Sequence, residues 1–457
     1  MKNRFNNITS KEWLPFQKSW FIYKNDETLY EQHIRFFIKY DDPDFEPNLF
    51  YFGNRLKTMQ KVSDKNHANI VDENKAIQYA LLDLRDEIDK IDSIDAYHVF
   101  KKQILELSKH LFQHLKHRRF VSIIVQNKII DNQYFPFAWD LAYSVSTGYT
   151  LKDEKIGCIK KSLSKEIENQ DFYILNFRKD ENSTGKFISI DTKLIEKHPP
   201  EKSKFFSKKW EIIKPPRRNK KEILHPAKFP ENLIRDFIAH YTKENDNVFD
   251  PMSGSGSTQM AAIQMNRNAY GTELSDFFTE IARERLSEHI DSKEQKNQKI
   301  RFKILNKDVR NIKRDDFPKI DYIITSPPYW DMLNMKGAEN QAKRKKKGLQ
   351  LNYSDDKKDL GNMEDYQEFI EELVQIYLEL IKILKPGGYI SIIVKNIKKK
   401  GKNYPFAWDL SEKLKEKLTL LPEFFWLQDD INIAPYGYGN TFVSNTFHQY
   451  CLTFKKR

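Results

Sequence analysis

Asp321–Tyr322–Ile323–Ile324 runs directly into Thr325–Ser326–Pro327–Pro328–Tyr329–Trp330, and this junction decides how the chain is read. The apolar, β-branched first half reads as a buried strand, and the second half as a stiff polar turn at its carboxyl edge. Two consecutive prolines fix φ and remove two backbone donors. The carbonyls of Ser326 and Pro327 are therefore left to accept from a ligand. Tyr329 and Trp330 add flat faces for stacking. The combination suits a planar ring carrying an exocyclic amine. Taken alone, the segment also fits an ordinary proline-rich turn, so the weight lies in what surrounds it.

Upstream, Val248–Phe249–Asp250–Pro251–Met252–Ser253–Gly254–Ser255–Gly256–Ser257–Thr258 has the order strand, glycine loop, helix. The glycines let the backbone pass close to a ligand, and Ser257 and Thr258 open a helix whose exposed N–H groups favour a carboxylate. The next two strands end in acids, Glu273 after Ala269–Thr272 and Asp308 after Phe302–Lys307. A carboxylate at the second strand's tip is the usual partner of ribose hydroxyls in doubly wound sheets. The phosphate-binding pattern Gly-x-x-x-x-Gly-Lys-[Ser/Thr] is missing from this unit, which argues against an NTPase and leaves a dinucleotide site as the rival.

These two stretches together resemble the amino-methylating DNA methyltransferases. The form Thr-Ser-Pro-Pro-Tyr-Trp is most similar to their N4-cytosine branch. The resemblance implies an α/β fold, a doubly wound, mostly parallel sheet of the S-adenosylmethionine-dependent methyltransferase type. S-adenosylmethionine is the implied cofactor and double-stranded DNA the implied partner. The resemblance carries over Ser326, Pro327, Pro328, Tyr329 and Trp330 as the catalytic loop. It carries over Phe229, within His225–Pro230, with Asp250, Pro251, Ser253, Gly254, Gly256, Glu273 and Asp308, as the cofactor set. No metal is expected. The implied reaction is methylation of the exocyclic N4 of a flipped cytosine, in a restriction-modification setting with a cognate restriction endonuclease. N6-adenine methylation, which would usually bring Asp or Asn to position 326, stays open. So do RNA base methylation and a non-catalytic DNA-binding subunit.

The chain also repeats itself. Phe120–Asn127 matches Tyr389–Asn396, and Pro136–Phe137–Ala138–Trp139–Asp140–Leu141 recurs identically as Pro405–Phe406–Ala407–Trp408–Asp409–Leu410. One offset of 269 residues relates both pairs, and it carries Tyr97 onto Tyr366 and Leu111 onto Leu380. Each copy reads as amphipathic helix, buried strand, helix. In the second copy the helix is predicted over Glu364–Leu384 and the strand over Tyr389–Val394. Residues 1–180 hold neither a glycine loop nor a Pro-Pro-aromatic triplet. They are expected to form a degenerate methyltransferase-like half-domain serving DNA contact or packing. Residues 181–222 read as a linker or small recognition element, and 223–457 as the catalytic domain. The first copy, the middle segment and the cofactor half, 95–310, mimic the arrangement in which a catalytic half precedes a recognition region. Target readout is expected from residues 1–222, from the insert Asp331–Asn362, or from both.

With 457 residues, 39% of them hydrophobic, the chain can bury two or three cores. No apolar run is long enough to span a bilayer, and the N-terminal residues are polar, so a cytoplasmic protein without membrane partners is expected. Two cysteines, Cys158 and Cys451, support neither a disulfide framework nor a Cys-based metal site. The net charge of +12 fits a polyanionic partner. It is concentrated in three runs, Pro215–Lys221, Lys343–Lys347 and Lys398–Lys402.

Overall fold

The computed structural model describes residues 3–39, 48–56, 76–131, 133–163, 166–192, 206, 208–214, 230–291, 300–330, 359–399, 401–429, 433, 437–440, 442 and 444–457. Phe229, most of the His225–Pro230 segment, the runs 215–221 and 343–347, and nearly all of the 331–362 insert lie outside them.

Apolar strands flanked by amphipathic helices build two sheets. The larger has nine strands. Along its main path the order is Phe302–Asn306, Asn268–Glu273, Asn247–Asp250, Ile320–Thr325, Leu384–Val394, His448–Lys456, Phe424–Leu427 and Trp210–Ile212, with Leu418–Leu420 also pairing His448–Lys456. The strands from Phe302–Asn306 to Leu384–Val394 are parallel, and His448–Lys456 runs antiparallel beside the last of them. The chain winds outward from Asn247–Asp250 and then returns to its other flank with Ile320–Thr325. That reversal is a topological switch point, the crevice where doubly wound sheets bind ligands. It sets the glycine loop and the Ser-Pro-Pro turn side by side at the carboxyl ends of two adjacent strands.

The smaller sheet has six strands, in the order Trp20–Tyr23, Thr150–Leu163, Glu166–Arg178, Leu115–Val125, Ile77–Asp83 and Leu49–Phe52. Its register shows that the repeat is longer than its sequence signature. Tyr79 faces Phe120 after a register shift that follows Ile77, and Tyr322 faces Tyr389 after a shift that follows Ile320. Leu49 then takes the place of Val248, each opposite the conserved-in-space tyrosine of its unit. At the far edges Trp20 pairs Ile156 and Trp210 pairs Phe425, in parallel in both cases. The helices Asp26–Phe37 and Glu231–Tyr241 precede corresponding strands. The first unit thus repeats most of the second rather than half of it. Among the described residues it lacks counterparts of Asn268–Glu273 and Phe302–Asn306, the strands that carry the two acids.

This alignment sets Asp83–Leu84–Arg85–Asp86 where the second unit has Ser326–Pro327–Pro328–Tyr329. Asp83 is fully buried and bonded by Arg85 (Nε to Oδ1, 2.9 Å) and by the Tyr30 hydroxyl (2.6 Å). The predicted helix of the second copy is observed over Tyr366–Leu380, capped by Asp365, whose carboxylate accepts from the N–H groups of Gln367 and Glu368. Its strand begins earlier than expected, at Leu384, so Lys385–Gly388 belongs to an irregular strand start. Gly388 is required there, because a Cβ would lie 2.9 Å from the Asp321 carbonyl.

The units meet through equivalent residues. Trp139 and Trp408 stack on each other, centroids 6.2 Å apart and planes 17° from parallel. Asn127 donates to Glu423 (2.9 Å), and its counterpart Asn396 donates to Glu154 (2.6 Å), the counterpart of Glu423. Tyr173 reaches Glu423 as Tyr450 reaches Glu154. Each asparagine also caps the following helix through its own carbonyl, at Ala138 N and Ala407 N (both 2.9 Å). Residue i touches j and j's equivalent touches i's, which is the pattern of an isologous interface about a two-fold axis. Here both halves of the pattern are in one chain. Burial pushes the Glu423 carboxyl up to about 7 against the pull of its hydrogen bonds.

Candidate active site

The glycine loop is held from below by its own aspartate. Asp250 Oδ2 accepts from Thr258 Oγ1 (2.6 Å) and Oδ1 from Met252 N (3.0 Å). Asp250 is 1% exposed, and burial raises its carboxyl to about 6 despite those two donors. Its task is therefore to fold the loop. Ser253 is similarly consumed, donating to the Asp250 carbonyl and accepting from Gln259 Nε2 (2.8 Å). Pro251 accepts from Thr272 Oγ1 (2.7 Å), fixing the loop to the neighbouring strand.

Gly254 and Gly256 have φ of +50° and +78°, in the left-handed region that glycine enters without penalty. Gly256 caps the helix Ser257–Gln264, and a Cβ on it would sit 3.0 Å from Ala282 Cβ. Gly271, a residue that sequence reasoning passed over, matters as much. A Cβ there would overlap Ser253 Oγ and Gln259 Nε2 and lie 2.6 Å from the Asp250 carbonyl. The signal available was a lone glycine inside a buried strand, which marks close backbone approach.

Glu273 sits at the end of Asn268–Glu273. It accepts from Gly254 N (2.7 Å) and Ser275 N (2.9 Å). Burial dominates and raises its carboxyl to about 7, with those two N–H groups pulling the other way. Asp308 caps a short turn and is gripped by Arg310 through both oxygens (Nε to Oδ1 2.9 Å, second nitrogen to Oδ2 2.6 Å).

One cavity brings these groups together. Pro251, Glu273 and Asp308 line it on one side, Ser326 and Pro328 on another, and the apolar walls come from Met252, Phe278 and Ile376. Asp359, which also lines it, is a third acid that the sequence reading did not single out. Among the described residues, no hydrogen bond reaches Ser326 Oγ or the Pro327 carbonyl. Tyr329 is anchored by its hydroxyl to Gln449 Oε1 (2.8 Å), and the Lys395 ammonium lies 5.2 Å from its ring centroid. Trp330 departs from the other members of the loop. It is 4% exposed, packs against Tyr366 and Tyr404 at 5.2 and 4.9 Å, and faces a different cleft.

Fold and site together define the S-adenosylmethionine-dependent methyltransferase class. Within it, the chain belongs to the DNA methylase family of N6/N4 amino-methylases, whose profile matches residues 24–284. That family's methyl donor is S-adenosylmethionine. The matched span covers most of the first unit, the middle segment and the strands Asn247–Asp250 and Asn268–Glu273, and it ends before Phe302–Asn306, Asp308 and the Ser326 loop.

The orphan methyltransferase M.BamHII of Bacillus amyloliquefaciens is 37% identical over 112 residues, 23% of this chain and 42% of that protein. The type II methyltransferase M.MjaI of Methanocaldococcus jannaschii is 32% identical over 120 residues, 25% of this chain and 38% of that protein. The matches thus span about two fifths of these curated relatives. Among solved structures, TrmN from Thermus thermophilus aligns over 51% of this chain and 50% of its own at 16% identity and a TM-score of 0.31. Among the described residues no helix is long and apolar enough to cross a membrane.

Proposed function

We propose that this chain methylates the exocyclic N4 of a cytosine flipped out of duplex DNA, within a restriction-modification setting. The observation that carries the reading is Ser326, whose hydroxyl is unengaged among the described residues and opens into the cavity lined by Glu273 and Asp308. When bound, S-adenosylmethionine supplies an electrophilic methyl group. The residues of the chain do the rest. The lone pair of a cytosine amine is delocalised into its ring, so the amine is a poor nucleophile. Ser326 Oγ and the Pro327 carbonyl, accepting from its two N–H groups, would favour a tetrahedral nitrogen with its lone pair turned toward the methyl. Placement and fixed dipoles then replace a strong base. Tyr329 offers its ring to the flipped base.

Glu273, Asp308, Gly254 and Gly256 are assigned to the cofactor. The carboxylates at the strand tips, the first-turn N–H groups of Ser257 and Thr258, and the apolar walls between them support this assignment. The cavity is about 90 Å³ and opens to solvent. Among the described residues the first unit lacks both acid-bearing strands, so one cofactor per chain is the expected stoichiometry.

The test is transfer of tritiated methyl groups to duplex oligonucleotides and to tRNA, followed by mass spectrometry of the nucleosides. N4-methylcytosine is the expected product. N6-methyladenine would overturn the cytosine assignment, and label appearing only in tRNA would overturn the DNA reading.

Two further outcomes follow from the cofactor assignment. Gly256→Val should weaken S-adenosylmethionine binding by at least about tenfold, since a β-branched residue at positive φ costs on the order of 1–3 kcal/mol before the clash with Ala282 is added. Calorimetry showing wild-type affinity would remove the loop from the site. The second outcome is a pH dependence. Only ionised Glu273 is a strong acceptor for ribose hydroxyls, so affinity should rise as pH increases through about 7, with protons released on binding. Its effect on stability has the opposite sign. The folded-state value lies above the ordinary 4.5, so the contribution present at low pH is lost as pH rises through about 7. Glu273→Gln should flatten the binding profile between pH 6 and 8, and a profile unchanged by that substitution would exclude Glu273 as the titrating group.

A further inference from the structure

Trp330 faces a second cleft, of about 980 Å³, between the two units. The second unit supplies Trp330, Lys399, Asn403 and Tyr404, and the first supplies Tyr143 and Lys152. Its floor is aromatic, because Trp330 packs on Tyr404 at 4.9 Å and Tyr404 on Tyr366 at 4.9 Å. Its cations lie against rings, Lys399 Nζ 4.0 Å from the Trp330 centroid and Lys402 Nζ 4.9 Å from that of Tyr404. The cleft also has acids. Asp409 is already bonded by the hydroxyls of Tyr143 (2.5 Å) and Tyr366 (2.7 Å), while Asp365 is spent on its helix cap and Glu364 lies beside it.

Two groups in this cleft are unexplained by folding. Among the described residues, both polar atoms of the Asn403 amide, Oδ1 and Nδ2, are buried with no hydrogen-bond partner, and so is Trp330 Nε1. A buried amide left without partners is costly, so native structures complete such a group with a ligand, an ordered water or an ion. The equivalent position in the first unit is Tyr134, whose hydroxyl is bonded to Glu423. The first unit thus satisfies this position internally and the second does not.

We propose that the cleft takes a base of the DNA substrate flanking the methylated nucleotide, stacked on the Tyr404 ring that Trp330 backs and read by the Asn403 amide. The proposal rests on the DNA methyltransferase reading above. A side-chain amide offers a donor and an acceptor a fixed distance apart, which pairs with the N6 and N7 edge of adenine. Aromatic faces hold a base whatever its identity, and nearby lysines suit its phosphate. A peptide would also find hydrogen bonds here, yet a peptide segment has no need of a stacked aromatic floor with cations over it. Tyr143 and Lys152 make the first unit a wall of the substrate site, a role beyond packing.

The experiment uses the full chain and a duplex panel in which each position flanking the target carries each of the four bases in turn. Methyl transfer is measured as kcat/KM, and cofactor affinity and thermal melting are measured in parallel. Wild type should prefer one base, adenine expected, at one flanking position by roughly tenfold or more. Asn403→Ala should erase that preference while cofactor affinity stays unchanged. Asn403→Asp, which keeps an acceptor and loses the donor, should shift it toward cytosine. A preference profile in Asn403→Ala identical to wild type would overturn the proposal, as would a wild type indifferent at every flanking position. Suppression of methyl transfer by a competing peptide, with flanking preference absent, would assign the cleft to a protein partner instead. Cofactor binding without methyl transfer to any duplex would refute the DNA reading itself, and the cleft assignment with it.

Discussion

Ser326→Ala is expected to lower methyl transfer to duplex DNA by roughly 10²-fold or more, with S-adenosylmethionine affinity unchanged. The separation of the two effects is the point of the experiment. Ser326 borders the cavity that also holds Glu273 and Asp308, so a residue placed for the cofactor and one placed for the acceptor amine could be confused by position alone. Glu273 accepts from the Gly254 N–H and Gly256 caps the helix that follows, and among the described residues no hydrogen bond joins any of the three to Ser326. A hydroxyl that acts only on the amine contributes to the transition state, where the nitrogen becomes tetrahedral, and little to the ground state. Its loss should therefore appear mainly in kcat. Wild-type kcat in Ser326→Ala would place the chemistry elsewhere. A fall in cofactor affinity of the same size would make Ser326 part of the donor pocket.

The parts of this site that were legible in the sequence are those where local chemistry dictates conformation. A glycine loop after an apolar strand, acids at two later strand tips and a double proline at a third each leave a mark within a few residues, and the cavity joins Glu273, Asp308, Ser326 and Pro328. What local reading gets wrong is direction. Asp250 and Ser253 are turned inward and consumed by the loop's own hydrogen bonds, and Trp330 points away from its neighbours into the interunit cleft. No pattern in one dimension reports that.

The extent of the repeat was partly hidden for a different reason. From Tyr97 to Glu154 the copies share an offset of 269, but Tyr79 and Tyr322 are 243 apart, because the second unit carries the long 331–362 stretch between its loop and its helix. An ungapped comparison ends there. Strand register does not, and it carries the correspondence back to Trp20. The symmetric contacts of Glu154 and Glu423 were equally invisible, since each depends on a partner in the other unit. They also bear on whether either unit can stand alone. Separating them would leave two buried carboxylates and the stacked Trp139 and Trp408 without partners, so the two units should melt in one transition.

That correspondence yields the second large effect, in the first unit. Arg85→Ala is expected to cost about 3–5 kcal/mol of stability, a substantial share of the roughly 5–15 kcal/mol that folded domains possess. Arg85 occupies the position of Pro328, with a side chain only 2% exposed. It bonds Asp83 through Nε (2.9 Å) and a terminal nitrogen (2.5 Å), reaches Asp26 at 2.7 Å, and lies 4.3 Å over the Phe172 ring. Asp83, in the place of Ser326, is wholly enclosed. Truncating the arginine leaves that carboxylate buried with its ion pair broken, whereas replacing both partners by leucine removes the charges together and is expected to cost far less. The contrast between the single and double variants is the diagnostic, because packing loss alone would make the double variant worse. In the second unit the prolines leave the acceptors open, and here a cation two residues further on closes them. Denaturant unfolding that shows Arg85→Ala within about 1 kcal/mol of wild type would mean that the carboxylate is solvated in solution, and that the loop of the first unit is open after all.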